Sequence, residues 1–138
     1  MDDLIYNKIE LLCSEGDEYM DCCFFDKALM KFQEALELVP EPKNDWEASA
    51  WILCAIGDVY FFKSDYKQSL NYFFEALNAP GGIDNPFIQL RLGQLFFELG
   101  NKKKAKEYLI GAYMLEGEEI FEDKEKYYEL IKNDIWQN

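Results

Sequence analysis

Histidine is absent from this 138-residue sequence, and basic residues are few: 14 lysines and arginines stand against 27 aspartates and glutamates, for a formal net charge of −13. Without histidine, neither an imidazole general base nor a Ser-His or Cys-His catalytic pair can form. So acidic a chain also lacks the clustered positive charge that binds nucleic acid or an anionic membrane surface. We therefore expect a protein that is not an enzyme and that binds neither nucleic acid nor membranes.

Other signals of cofactor binding or export are missing too. The four cysteines form no C-x2-C pair, which with the absence of histidine argues against a zinc site. No glycine-rich phosphate loop is present, so we expect no cofactor and no metal. The N-terminal residues have no basic and apolar signal segment, and no apolar run approaches the roughly 20 residues of a membrane span. These features predict a cytoplasmic protein.

The cysteines are expected to be small, reduced side chains, most of them buried. Cys22 and Cys23 are adjacent, and they lie at the end of the first predicted helix. That position leaves partial exposure, and with it a redox role, as an open alternative.

A pattern that recurs three times dominates the sequence. Its anchors are Gly16, Gly57 and Gly93, spaced 41 and 36 residues apart. At fixed offsets after each glycine come a small, a large and again a small residue: Ala28, Ser69 and Ala105; Phe32, Phe73 and Leu109; Ala35, Ala76 and Ala112. Small residues let two helices approach closely while the large ones fill the remaining space, so each copy predicts a helical hairpin.

This pattern resembles the tetratricopeptide repeat, W-x2-L-G-x2-Y…A-x3-F…P. The first copy keeps Gly16, Tyr19, Ala28, Phe32 and Pro40, whereas the third has Phe96 for tyrosine and Leu109 for phenylalanine. The resemblance implies an all-α fold, a right-handed α-solenoid of three helical hairpins closed by a C-terminal capping helix. We place the repeats at about 3–40, 44–80 and 85–117 and the capping helix at about 124–135, within a single domain of residues 1–138.

Local signals refine these boundaries. Asn44 followed by Glu47 resembles a capping box, so the third helix is expected to begin early, after a linker longer than the family's. Asn85 before Pro86 predicts the start of the fifth helix. On the capping helix, an apolar stripe of Tyr127, Leu130 and Ile131 should cover the end of the repeats.

In the resembled family, the first helix of each hairpin lines a concave groove. Counting from the glycines, Cys54 and Leu90 are expected to pack between helices, and the partner-binding candidates are Asp17, Asp21, Trp51, Asp58, Phe62, Phe87, Arg91, Gln94, Phe97 and Glu98. Aromatic anchors with an acidic rim are typical of an interaction hot spot. The alternative is that the rings pack on one another or on the capping helix.

Some proteins of this family hold the C-terminal carboxylate of a chaperone with lysine, asparagine and arginine. The corresponding positions here are Cys13, Asp17, Ala55, Phe87 and Arg91, and only Arg91 fits. An acidic groove repels a carboxylate-rich tail, so this function is excluded.

Acidic residues concentrate at both ends: residues 1–40 carry ten acids and three bases, and residues 116–138 carry eight and three. The segment 117–123 with Tyr127 and Tyr128 is similar to the tails of repeat proteins encoded beside secreted toxins. The sequence therefore predicts a protein–protein interaction module, an immunity protein that neutralises a basic toxin or effector domain. A secretion or assembly chaperone and a self-associating scaffold are the alternatives. We expect a monomer, with a homodimer as the alternative.

Overall fold

A computed structural model describes residues 1–136, with Trp136 described by its backbone alone. These residues form seven α-helices: α1 (Asp3–Asp21), α2 (Phe25–Leu38), α3 (Glu47–Phe62), α4 (Tyr66–Leu77), α5 (Pro86–Glu98), α6 (Lys102–Glu116) and α7 (Glu125–Trp136). Two 3-10 turns, Lys43–Asp45 and Glu118–Phe121, lie between them. No strand occurs within this range, and the all-α prediction is confirmed.

The chain divides into two compact units, residues 1–81 with α1 to α4 and residues 82–138 with α5 to α7. The pairs α1–α2, α3–α4 and α5–α6 fall within the limits predicted for the three repeats. That these repeats act as one domain stays a prediction.

The core of the first unit is built by residues from three helices. Ile9 of α1, Phe32 of α2 and Ile52 of α3 are each shielded almost completely from solvent. Burying a side chain of this size stabilises a fold by roughly 1.5–3 kcal/mol. Helix α2 packs on both α1 and α3, so it joins the two hairpins.

The second hairpin closes through its small residues, as predicted. The hydroxyl of Ser69 is buried and donates a hydrogen bond to the carbonyl oxygen of Gly57 at 2.7 Å. A larger residue at either position would hold α3 and α4 apart. The serine, which replaces the alanine of the other two copies, thus satisfies its buried hydroxyl locally.

In the second unit, α7 covers the hairpin of α5 and α6. Tyr127 and Ile131 of α7 are buried in one cluster with Leu90, Leu109 and Phe121. Leu130 is half-buried and packs against the same cluster. The predicted apolar stripe of the capping helix is therefore confirmed.

The linker between α2 and α3 differs from the prediction. Asn44 is not the N-cap of the third helix: it lies in the 3-10 turn Lys43–Asp45, and α3 begins at Glu47. The ammonium group of Lys43 donates to the carbonyl oxygens of Leu36 at 3.0 Å and Val39 at 2.7 Å, at the end of α2. This lysine binds carbonyl oxygens at the C-terminal end of the helix, and so folds the linker back.

Other helix ends follow the sequence signals. The side chain of Asn85 accepts hydrogen bonds from the backbone of Phe87 and Ile88, with Pro86 as the first helical residue, as predicted. Asp2 and Asp65 cap α1 and α4 in the same way.

Candidate protein-binding surface

An aromatic pair joins the first helices of the two hairpins in the unit of residues 1–81. The rings of Tyr6 on α1 and Trp51 on α3 have centroids 6.0 Å apart and planes 75° apart, an edge-to-face contact. Trp51 keeps 47% of its surface exposed. An indole held by one neighbour and open to solvent is suited to anchor a partner.

Beside this pair lies a depression of about 420 Å³, which we call the α1–α3 depression. It is lined by Tyr6, Ile9, Glu10, Cys13, Ser14, Asp17, Phe32, Trp51 and Ala55. The floor is apolar, and the carboxylates of Glu10 and Asp17 are its charged groups. The surface therefore combines an aromatic wall with negative charge.

The titration of three side chains reflects this crowding of negative charge. Burial, and then the charge of Asp21, raise the pKa of Asp17 above its usual range. Burial and the carboxylates of Asp17 and Glu10 raise the pKa of the Cys13 thiol to about 11. A hydrogen bond with Glu10 raises the pKa of Tyr6. Each shift disfavours a further negative charge, so a cation brought into the depression would be stabilised.

The predicted candidates in this unit have different exposures. Asp17, Asp21, Trp51 and Phe62 are exposed, and Asp58 is half-buried. The ring of Phe62 contacts Phe61 edge-to-face at 5.5 Å. Of the five, Asp17 and Trp51 line the α1–α3 depression together.

The third-repeat candidates Arg91 and Gln94 are buried, with 8% and 4% of their surface exposed. Nη1 of Arg91 donates to Oε1 of Gln94 at 2.7 Å, and the guanidinium lies 4.9 Å from the ring centroid of the half-buried Phe87. These two polar groups thus contact one another and are largely shielded from solvent, and their role in binding a partner stays a prediction.

Phe97 and Glu98 contact the capping helix, as in the alternative stated for the aromatic rings. The ring of Phe97 meets that of Tyr127 edge-to-face at 5.4 Å. One carboxylate oxygen of Glu98 accepts from the ammonium of Lys126 and from the hydroxyl of Tyr127, each at 2.7 Å. Both side chains are half-buried and hold α7 in place, and their role in binding a partner stays a prediction.

Two residues of the depression, Tyr6 and Glu10, were missed from the sequence. They precede Cys13 and Asp17 at the spacing of one face of a helix, which is the signal that could have found them. Counting from the repeat glycine does not reach them, because they lie about two to three helical turns before Gly16.

The cysteines divide by exposure. Cys22 and Cys23 are exposed, Cys13 is partly buried and Cys54 is buried. The burial expected of Cys54 is confirmed, whereas the expectation that most of the cysteines are buried is wrong, because Cys22 and Cys23 lie in the turn after α1. Leu90 is likewise buried, as predicted.

Among the described residues, no group of three or more histidine, cysteine, aspartate or glutamate side chains could hold a metal ion. None of the helices within residues 1–136 is long and apolar enough to cross a bilayer.

The fold occurs in several solved structures. The chain superposes on the C-terminal TPR-containing domain of a Plasmodium falciparum protein described as FK506-binding, with a TM-score of 0.77, 20% identity, and 99% and 94% of the two chains covered. It is also similar to the Yersinia enterocolitica type III secretion chaperone SycD in complex with a peptide of the translocator YopD (TM-score 0.74, 15% identity, 91% of each chain). A third neighbour is the first TPR of Spaghetti (RPAP3) bound to the HSP90 peptide SRMEEVD (TM-score 0.73, 16% identity, 91% and 94% covered).

Sequence comparisons give the family. Comparison with curated proteins gives no match. Two family profiles described as tetratricopeptide repeat match residues 16–80 and 88–118, which include all three repeat glycines. With its glycine-centred helical hairpins, this chain belongs to the tetratricopeptide-repeat family of α-solenoid proteins, whose repeats are protein–protein interaction modules.

Proposed function

We propose that this protein is a non-enzymatic binding module that holds a basic segment of a protein partner in the α1–α3 depression. The observation that carries the proposal is the pairing of Tyr6 and Trp51 beside the carboxylates of Glu10 and Asp17. A lysine or arginine side chain placed there would gain cation–π contact with an indole and ion pairing with a carboxylate.

The raised pKa of Asp17 adds a thermodynamic link. A bound cation favours the ionised carboxylate, so binding lowers the pKa of Asp17 and releases a proton wherever that group is partly protonated. Affinity for a basic segment should therefore rise with pH through the range in which Asp17 titrates. It should then level off once the carboxylate is fully ionised.

For the cellular role, we propose an immunity protein that neutralises a basic toxin or effector domain by stoichiometric binding. Support comes from the net charge of −13 and from the acidic tail at residues 116–138. Long-range attraction between an acidic inhibitor and a basic target speeds their encounter, which suits an inhibitor that must act quickly.

A secretion chaperone is the second candidate. One of the structures that this chain resembles is a type III secretion chaperone with a translocator peptide bound. That likeness concerns the fold, so it favours the candidate without naming a client. An acidic peptide such as the SRMEEVD seen on another neighbour is a poor fit here, because Asp17 and Glu10 would repel its carboxylates.

Binding of a fluorescein-labelled nonapeptide of alternating lysine and glycine tests the module, with the glutamine-for-lysine peptide as the uncharged control. Trp51→Ala should weaken binding about thirtyfold, or about 2 kcal/mol, mainly through faster dissociation. Asp21→Asn should instead slow association and flatten its salt dependence. Met30→Ala and Glu75→Gln change an exposed apolar and an exposed acidic residue outside the depression, and should bind like the wild type.

Folded Trp51→Ala and Asp17→Asn proteins that bind the lysine peptide like the wild type would contradict the proposal. The cellular role is tested separately, with proteins encoded next to the gene. Rescue of growth from a co-expressed basic toxin, lost in Trp51→Ala, supports immunity. Stabilisation of an exported protein without any rescue supports the chaperone.

A further inference from the structure

Tyr6 and Trp51 also line a second opening of about 500 Å³, which we call the linker depression. We propose that it is a subsite for the side-chain ammonium group of a lysine in the partner, with affinity that rises when the lysine is N-methylated. The inference rests on the proposed function in one respect only, because it takes the cation from a bound protein segment. The walls of the linker depression include Tyr6, Trp46 and Trp51, with the carboxylates of Asp45 and Glu47.

The geometry of the aromatic pair explains why it serves two openings. Tyr6 and Trp51 line both the α1–α3 depression and the linker depression. Two rings whose planes are 75° apart form a corner of two aromatic faces beside their contact. A cation seated in such a corner meets the negative face of both rings.

A third aromatic wall distinguishes the linker depression. Trp46 adds a second indole to Tyr6 and Trp51, and tryptophan is the aromatic side chain that attracts cations most strongly. Three rings around one opening are the arrangement by which proteins enclose alkylated ammonium groups. Methylation keeps the positive charge of lysine while it spreads that charge over a larger, less hydrated group, which lowers the cost of leaving water.

The linker holds Trp46 in position before any ligand arrives. The indole Nε1 of Trp46 donates to the carbonyl oxygen of Pro40 at 3.0 Å. The hydroxyl of Ser49 donates to the carbonyl oxygen of Lys43 at 2.5 Å, and the Lys43 ammonium binds the end of α2. The wall is therefore preorganised, which saves the cost of ordering it on binding. The long linker that widens the first repeat spacing to 41 residues thus builds a site.

Charge decides which kind of ligand fits. Asp45 and Glu47 are both exposed at this opening and supply two negative charges. The nearby Lys43 does not cancel them, because its ammonium is paired with the carboxylate of Glu41 at 3.9 Å and directed to the carbonyl oxygens of α2. An organic cation therefore matches the depression, whereas a carboxylate or phosphate would be repelled.

The test uses three nine-residue Gly-Ser peptides that differ at one central residue: lysine, trimethyllysine, or the uncharged isostere with tert-butyl in place of trimethylammonium. Binding is followed by NMR through the indole N–H signals, assigned with Trp46→Phe and Trp51→Phe variants. We expect the shifts of the Trp46 and Trp51 signals to show that the trimethyllysine peptide binds at least threefold more tightly than the lysine peptide. The isostere should bind at least tenfold more weakly than trimethyllysine.

Variants separate this subsite from the α1–α3 depression. The isosteric double variant Asp45→Asn, Glu47→Gln should weaken trimethyllysine binding at least fivefold, and Glu75→Gln should leave it unchanged. If charged and uncharged peptides bind alike, or the double variant binds like the wild type, the inference is overturned. The two proposals can fail separately. If the double variant binds the trimethyllysine peptide like the wild type while Asp17→Asn no longer binds the lysine nonapeptide, the linker subsite is refuted and the proposed function stands.

The source of the cation is tested with small molecules. Choline carries the trimethylammonium group of trimethyllysine without a peptide, and its uncharged analogue 3,3-dimethylbutan-1-ol carries the tert-butyl group of the isostere. Choline that binds more weakly than the trimethyllysine peptide supports a lysine of a protein partner. Choline that binds as tightly as the peptide contradicts it, because the peptide then adds nothing.

Discussion

The ring of Phe73 fills the space that a side chain on residue 57 would need: a Cβ atom added to Gly57 would lie 2.6 Å from Cε2 of the ring. The same relation recurs sixteen residues apart in each hairpin, with 2.5 Å between Gly16 and Phe32 and 2.6 Å between Gly93 and Leu109. A large side chain on the second helix thus packs directly on the backbone of the first. Each repeat glycine is explained by contact rather than by backbone flexibility.

Replacing Gly57 by alanine should therefore destabilise the first unit. The new Cβ can be accommodated only if the buried Phe73 ring moves, at a cost of roughly 1–3 kcal/mol. Urea unfolding followed by circular dichroism measures this. In a Phe73→Ala background the same change should cost much less, and this non-additivity identifies the contact.

Gly111 provides the matched control, since it also lies within a helix. A Cβ there would meet the side-chain oxygen of Gln89 at 2.9 Å, and that flexible group can move aside. Gly111→Ala should be neutral, or stabilising by up to about 1 kcal/mol through helix propensity. Equal losses at Gly57 and Gly111 would show that the aromatic contact is not the cause.

The turns inside the hairpins repeat as closely as the glycines. Cys23, Ser64 and Gly100 all have positive φ, of 60°, 63° and 88°, each seven residues after the repeat glycine. In each turn the following amide bonds back five residues, as Phe24 N–H does to the Tyr19 carbonyl at 2.8 Å. These are Schellman ends, where glycine is preferred because it has no Cβ to strain the left-handed conformation.

Cys23→Gly should accordingly raise the melting temperature, with a gain of roughly 0.5–1 kcal/mol. Cys22→Gly is its control: it also removes one exposed thiol, but at a residue with φ −93°, so glycine there should destabilise by a similar amount. Differential scanning calorimetry under reducing conditions compares the two. A loss of stability in both would refute strain at residue 23.

The sequence predicted what depends on local patterns, namely the helix pairs, the Asn85–Pro86 cap and the stripe on α7. Prediction from the sequence failed where a side chain contacts residues outside its own local pattern. The Lys43 ammonium reaches back to α2, which no capping pattern shows. On α5, Arg91 and Gln94 were placed among the partner-binding candidates, and the contact between them does not test that prediction.

The lining of the α1–α3 depression was predicted in part for the same reason. Trp51 and Asp17 follow from the repeat register, and both line the α1–α3 depression. Register alone could not show that Phe97 and Glu98 contact α7, because those contacts depend on how α7 docks. Nor could it find Tyr6, whose role comes from its contact with Trp51.

The contact of Glu98 with α7 predicts a pH-dependent stability of the second unit. Hydrogen bonds from Lys126 and Tyr127 hold the pKa of Glu98 below its usual value near 4.5. The stabilisation is therefore complete above pH 4.5 and is lost as the pH falls through the lowered pKa. Glu98→Gln should cost about 1 kcal/mol at pH 7, since the ion pair is partly solvated.

Urea unfolding between pH 3 and pH 7 tests this. The difference in unfolding free energy between the wild type and Glu98→Gln should shrink as the solution becomes more acidic. Glu107→Gln, at an exposed acid of α6, should show a small difference at every pH. If the difference in unfolding free energy between the wild type and Glu98→Gln stays unchanged down to pH 3, the carboxylate charge does not hold α7.

The thiol of Cys13 reports on the charge of the α1–α3 depression. With a pKa of about 11, only about one Cys13 in a thousand is a thiolate at pH 8, so alkylation should be slow. In a Cys22→Ser, Cys23→Ser protein, which lacks the two exposed thiols, mass spectrometry can follow the iodoacetamide labelling of Cys13 separately from the buried Cys54. Asp17→Asn removes a charge that raises the pKa of Cys13 and should speed its labelling severalfold.

Asp21→Asn is the control: it acts on Asp17 rather than directly on the Cys13 thiol, so its effect on the labelling rate should be smaller. Equal labelling rates in all three proteins would mean that Asp17 does not raise the negative potential at Cys13, and would remove a main electrostatic argument for a cationic ligand at this surface.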